Sequence, residues 1–119
     1  MKRIVIVDDD PGMRLVARLF AEDEGCQVVG EAEDGLEAVH LVRRLEPDLV
    51  LMDFHMPELD GDAATRRILR SRPDVTVIGW TNDDGPAVAD AFRDAGAYAC
   101  ADKGDFETLR ALLSEAQPA

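Results

Sequence analysis

The sequence predicts an α/β protein: a five-stranded doubly wound parallel sheet in the order 2-1-3-4-5, flanked by five helices. Three observations predict it. Short β-rich runs alternate with segments of helical spacing from end to end, the signature of repeated βα units. Runs such as Leu49-Val50-Leu51-Met52 are apolar at every position, so both faces of that strand need cover, as in a parallel sheet. Right-handed crossovers leave few topologies for five such strands. In the common doubly wound order, the ligand crevice lies beyond the carboxyl ends of strands 1 and 3.

Each element has its own justification. Arg3–Val7 reads as the first strand, followed by a helix on which Met13, Val16, Ala17 and Phe20 share a face. Asp10 and Pro11 suit that helix's N-cap and first turn. Gly25 punctuates its end, and Gln27–Glu31 reads as the second strand. Gly35 opens a helix with Leu36, Val39 and Val42 on one face, and Pro47 follows it. Leu49–Asp53 is the third strand. Asp60-Gly61 then precedes a helix carrying Ala64 and Ile68, with Pro73 after it. Val75–Thr81 reads as the fourth strand, and Val88, Ala91, Phe92 and Ala95 mark the fourth helix, closed by Gly96. Tyr98–Ala101 is the last strand, and Phe106, Leu109 and Leu113 mark the last helix.

The chain has 119 residues and no Gly/Ser-rich or Pro-rich linker, so one domain spanning 1–119 is expected. Acidic residues outnumber basic ones 25 to 13, for a net charge of −12. That balance argues against nucleic acid as a partner, since such binding rests on Lys and Arg. No apolar stretch approaches a membrane span, and Met1-Lys2-Arg3 leads directly into a strand, so a cytoplasmic protein is expected. Cys26 and Cys100 form no metal-binding motif and fall near opposite edges of the predicted sheet. A disulfide needs Cα atoms within about 7 Å, so both are expected to stay reduced.

The stretch Val7-Asp8-Asp9-Asp10-Pro11-Gly12 poses the functional question. Two carboxylates about 4 Å apart repel by roughly 4 kcal/mol at an effective dielectric near 20, so clustering them at a strand mouth calls for a cation. The predicted topology gathers Asp8 and Asp9, Asp53, Thr81, and Asp102-Lys103 on one rim, at the ends of strands 1, 3, 4 and 5. A polar residue at one strand end is commonplace, because loops meet water there. Together they form a set: three carboxylates make a hard oxygen site suited to Mg²⁺, and a hydroxyl and an ammonium complete what phosphoryl transfer to a carboxylate needs.

The blocks "IVIVDDDPGMR", "GEAEDGLEAV", "PDLVLMDFHMPELDGDAA", "VIGWT" and "GAYACADK" resemble, in order and spacing, those of the receiver domain of bacterial two-component response regulators. The resemblance implies the flavodoxin-like fold of chemotaxis-regulator-like receivers. It also implies that Asp53 takes a phosphoryl group from a histidine kinase or histidine phosphotransfer protein, with Mg²⁺ as cofactor. On that pattern Asp9 and Asp53 bind the ion directly, Asp8 acts mainly through a metal-bound water, and the His55 carbonyl supplies another ligand. Thr81 and Lys103 hold the phosphoryl oxygens, and an unknown output protein or domain reads the switch. The chain would act as a monomer or as a phosphorylation-dependent dimer, with no membrane or nucleic-acid partner of its own. Asp10 matches no required position, in keeping with a capping role.

Departures from the family pattern are equally specific. Cys100 stands where an aromatic is frequent, three residues before Lys103, and Tyr98 falls two residues earlier on what alternation makes the same face. Gly104 replaces a frequent proline after Lys103, so a trans bond is expected there. Asn82 is larger than the usual residue after the threonine. His55 lacks a nitrogen or sulfur co-ligand and reads as a pocket-rim residue, and His40 as an exposed helix residue. Trp80 is expected to point away from Thr81 into the core. Arg66, Arg67, Arg70 and Arg72 form a basic run with two readings, a solvated helical face or a partner patch. Two rivals to the receiver reading stand. Asp8-x-Asp10 after an apolar strand resembles the motif of aspartate-nucleophile phosphohydrolases, and a phosphorylation-independent interaction module could retain the same acidic pocket.

Overall fold

The computed structural model describes residues 1–83 and 85–115. Its elements run β1 (Arg3–Val7), α1 (Pro11–Asp23), β2 (Gln27–Ala32), α2 (Gly35–Leu45), β3 (Leu49–Met52), α3 (Gly61–Ser71), β4 (Thr76–Thr81), α4 (Pro86–Ala95), β5 (Ala99–Asp102) and α5 (Phe106–Glu115). The five strands form one sheet in the order β2-β1-β3-β4-β5, with every pairing parallel. The expected topology therefore holds. Boundaries move by a residue: β5 begins at Ala99 rather than Tyr98, β4 at Thr76 rather than Val75, β3 stops at Met52, and Gly61 is the first residue of α3.

Two apolar layers cover the sheet. Val5, Val7, Val50, Met52 and Val77 face α2, α3 and α4 together with Ala38, Val42, Ala64, Ile68 and Phe92. Ile4, Ile6, Leu49, Leu51, Ile78 and Trp80 face α1 and α5 together with Ala17, Ala21, Leu109 and Leu113. Alternation assigns the two sets, since successive side chains of a strand point to opposite faces. The four residues Leu49–Met52 are each no more than 1% exposed, the double cover their composition demands.

Caps and glycines set where the helices begin. Asp10 caps α1, its Oδ1 accepting from the Gly12 amide at 2.8 Å, with Pro11 in the first turn. Asp34 does the same for α2 through the Glu37 amide, also at 2.8 Å. Gly79 leaves room on the sheet for Phe92, since a Cβ there would lie 2.6 Å from its ring. Gly96 closes α4 at φ 103°, a conformation that glycine adopts without a Cβ clash. The thiols of Cys26 and Cys100 are free and pack toward opposite layers. The described chain has no cis peptide bond, so Lys103–Gly104 is trans, as expected.

Candidate functional site

The ladder continues past the strands and holds the functional residues at one rim. The Asp8 amide donates to the Ala32 carbonyl (3.0 Å), the Asp53 amide to Val7 (2.9 Å), and the Lys103 amide to Thr81 (2.9 Å). Asp8, Asp53 and Lys103 are thus fixed by backbone bonds to the neighbouring strand's end.

Asp8, Asp9 and Asp53 each offer a carboxylate oxygen, and the three oxygens lie within 4.8 Å of one another. Asp8 is fully buried and Asp53 is 6% exposed, while Asp9 faces solvent. The Lys103 ammonium, itself buried, sits 2.6 Å from Asp8 Oδ2 and 3.4 Å from Asp53 Oδ1. Asp8 Oδ1 accepts from the Asp10 amide at 2.9 Å, and Asp53 Oδ1 from the Phe54 amide at 2.9 Å. The second oxygen of Asp53 takes no protein donor among the described residues.

Burial, and next the charge of Asp8, push the Asp53 carboxyl up to about 6, against the opposing pull of Lys103 and of the Phe54 amide. One ammonium among three carboxylates leaves a surplus of negative charge in a pocket that is buried at Asp8 and Asp53 and open to solvent at Asp9. That surplus, with oxygen donors from β1 and β3 converging on one point, fits a small hard divalent cation such as Mg²⁺.

The remaining rim residues fall as follows. Thr81 ends β4 and is 3% exposed; its Oγ1 accepts from the Asp83 amide at 3.1 Å, and the hydroxyl proton remains free to donate. His55 is exposed, and its ring Nε2 pairs with Asp83 Oδ2 at 3.1 Å, bridging the β3–α3 and β4–α4 loops across the mouth of the site. It belongs to the rim, as its lack of co-ligands implied, and His40 is exposed on α2. Trp80 points into the α1/α5 layer, and the Lys103 ammonium lies 5.6 Å from its ring centroid. Cys100 packs toward the opposite layer and, with Thr81, Ala89 and Asp102, lines a cleft of about 210 Å³. Tyr98 corrects the expectation from alternation: it lies outside β5, is 55% exposed, and its hydroxyl donates to Glu115 Oε1 of α5 at 3.2 Å. Asn82 is exposed.

Three residues support the rim from neighbouring helices. Arg14 of α1 donates from Nη1 to the Asp8 carbonyl at 2.7 Å and from Nε to Glu31 of β2 at 3.2 Å, bracing the end of β1. Gly61 presses α3 onto the site: a Cβ there would lie 2.0 Å from the Asp53 carbonyl oxygen. Gly35 lets α2 pack closely against the β3–α3 loop, where a Cβ would lie 2.1 Å from the Leu59 carbonyl oxygen. The Gly spacing was visible in the sequence, whereas the Arg14 contacts depend on the crossover that stacks α1 over β1 and β2.

A doubly wound parallel sheet whose switch-side rim carries clustered carboxylates, a buried lysine and a buried hydroxyl defines a phosphate-handling α/β domain. More particularly, the chain belongs to the response regulator receiver domain family, whose model matches residues 4–114. It is 46% identical over 100 residues to protein-glutamate methylesterase/protein-glutamine glutaminase 4 of Geobacter metallireducens, covering 82% of this chain and 29% of that protein. It is 40% identical over 105 residues to the response regulator GacA of Pseudomonas aeruginosa, covering 87% and 49%. The chain therefore spans half or less of these two curated relatives. Among solved structures, the response regulator domain of Thermotoga maritima CheB superposes with a TM-score of 0.82 at 32% identity, covering 97% of this chain and 90% of that one. A LuxR-family two-component response regulator from Aurantimonas superposes with a TM-score of 0.85 at 33% identity, covering 97% and 86%. Among the described residues, no helix is long and apolar enough to cross a membrane.

Proposed function

We propose that this chain is a phosphoacceptor switch that receives a phosphoryl group on Asp53 from the phosphohistidine of a histidine kinase or phosphotransfer protein. One observation supports the reading: Asp53 is a nearly buried carboxylate with one oxygen held by Lys103 and Phe54 and the other without a protein donor among the described residues. The free oxygen attacks phosphorus; the O–P bond forms as the donor's N–P bond breaks, and the electron pair stays on the departing imidazole nitrogen. Asp53 must be ionised to attack, and its elevated pKa of about 6 leaves it largely so at neutral pH.

Asp9 and Asp53, with Asp8 behind them, would hold Mg²⁺, which supplies positive charge to the phosphoryl oxygens, and the family pattern adds the His55 carbonyl as a further ligand. Lys103 is already beside Asp53 and is positioned to bind a phosphoryl oxygen once one arrives. The Thr81 hydroxyl offers a second donor from β4, so that phosphorylation draws the β4–α4 loop toward the rim. The chain is a signalling module whose output partner reads this rearrangement.

The phosphohydrolase reading needs Asp8 and Asp10 to act as a catalytic pair. Asp10 is instead exposed and engaged as the α1 cap, and Asp8 is fully buried against Lys103. Intact-mass analysis after treatment with acetyl phosphate and Mg²⁺ tests the proposal: an adduct of about 80 Da is expected on the parent and absent from Asp53→Asn. An unmodified parent would instead favour the phosphorylation-independent module.

A further inference from the structure

Positive charge is unevenly placed on this acidic chain. Five of the eleven arginines have acidic partners: Arg14 and Arg18 pair with Glu31, Arg72 with Glu46, Arg93 with Asp90, and Arg110 with Asp23. Arg43 and Arg44 of α2 and Arg66, Arg67 and Arg70 of α3 form no ion pair and no side-chain hydrogen bond among the described residues. Part of this is helix chemistry, since Arg43, Arg44 and Arg70 occupy last turns, where the helix dipole favours cations. The dipole does not explain why Arg43, Arg67 and Arg70, from two helices, line one cleft of about 210 Å³ with Ser71 and, among the described residues, no carboxylate. These side chains are exposed, so water screens most of their mutual repulsion, and an anion seated among them removes what remains while gaining from all three charges.

We propose that the α2–α3 cleft is an anion site for a compact polyphosphate group, such as the diphosphate or triphosphate moiety of a small ligand. Guanidinium groups present planar forks that match phosphate oxygens in pairs, and every cation at the cleft is an arginine. The cleft is smaller than the roughly 300–1,000 Å³ that encloses a drug-sized ligand, which suits a phosphate group more than a whole cofactor. The net charge of −12 selects further. A long polyanion would extend beyond the arginines over acidic surface, whereas a compact one stays within about one Debye length, roughly 8–10 Å, of the patch. The Ser71 hydroxyl donates to the Ile68 carbonyl at 3.2 Å, so recognition rests on the guanidiniums. This is a separate place from the acidic rim. The α3 helix starts against Asp53 and is 11 residues long, which sets its far end about 16 Å away along its axis.

Titration calorimetry on the 119-residue chain in magnesium-free, low-salt buffer tests the site, with pyrophosphate as the probe and orthophosphate and a hexaglutamate peptide as comparators. Pyrophosphate is expected to bind about tenfold or more tightly than orthophosphate, and to lose about tenfold in affinity in Arg67→Gln and in Arg70→Gln. Affinity should be unchanged in Asp53→Asn. Magnesium-dependent beryllofluoride binding, measured on the same arginine variants, should match the parent and so establish that they are folded. The proposal is overturned if pyrophosphate fails to bind, if the arginine variants bind it as the parent does, or if Lys103→Met rather than Arg67→Gln abolishes binding. Tighter binding of hexaglutamate than of pyrophosphate would also overturn it, by assigning the cleft to an acidic peptide.

Discussion

Asp53 is where the fold places charge against its own stability. Its carboxyl is raised to about 6 by burial and by Asp8, whereas an unfolded Asp titrates near 3.9. A carboxyl whose folded pKa is raised contributes stability that is present below the unfolded value and lost as pH rises through the folded one. Asp53→Asn should therefore leave Tm almost unchanged near pH 4 and raise it at pH 8 in magnesium-free buffer, the gain developing between about pH 4 and 6. Thermal unfolding across that range checks it, and a gain that is flat with pH would show that Asp53 is not the group under strain. Added Mg²⁺ should stabilise the parent at pH 8 and stabilise Asp53→Asn less, because the variant has lost both a ligand and the repulsion the ion relieves.

At the scale of elements, the start of α3 acts as a wall of the site. The α3 terminus touches the Asp53 backbone so closely that the first residue must be glycine, and the Gly61 amide donates to the Phe54 carbonyl at 2.7 Å. From there Phe54 meets Phe92 of α4 edge-on, with ring centroids 5.5 Å apart, tying the loop after β3 to the helix after β4. Gly61→Ala should cost about 2–3 kcal/mol or more, since the clash is with backbone that cannot rotate away. Chemical denaturation would measure the loss. The same variant should slow acetyl-phosphate labelling even where it is fully folded, because α3 and the Asp53 backbone must move apart to admit the methyl group. Labelling at the parental rate would mean that this contact supports the fold without positioning the acceptor.

Across the whole molecule, the sheet separates two possible routes for the signal. Trp80 lies on the α1/α5 side beneath Lys103, whereas Cys100 and the cleft beside Thr81 lie on the α4 side. Beryllofluoride with Mg²⁺, standing in for the phosphoryl group, should draw on the Lys103 ammonium and so change the field at the Trp80 ring. A fluorescence change is expected in the parent, absent in Asp53→Asn and nearly intact in Cys100→Ala. Normal beryllofluoride binding by Cys100→Ala with the whole signal lost would show that Cys100 couples the two faces. Tyr98, exposed and bound to Glu115, sits away from Thr81 and gives no obvious ring to replace the missing aromatic.

Some of this was legible in the amino-acid order alone. Periods of 2 and 3.6 residues marked the ten elements, double-sided apolar runs required a covered parallel sheet, and handedness then brought Asp8, Asp9, Asp53, Thr81 and Lys103 to one rim. Asp10 could be set apart as a cap because capping is a local property of Asp-Pro at a helix start. What depended on tertiary structure was everything set by distance between elements: the Lys103 ammonium lying closer to Asp8 than to Asp53, the Arg14 brace, the His55–Asp83 bridge, and the convergence of Arg43 with Arg67 and Arg70. Tyr98 failed for the same reason, since alternation holds only within a strand and β5 begins one residue later. Periodicity reports which face a side chain takes; the partner it meets there is decided by how neighbouring elements pack, and electrostatic and hydrogen-bond energies fall off over a few ångströms.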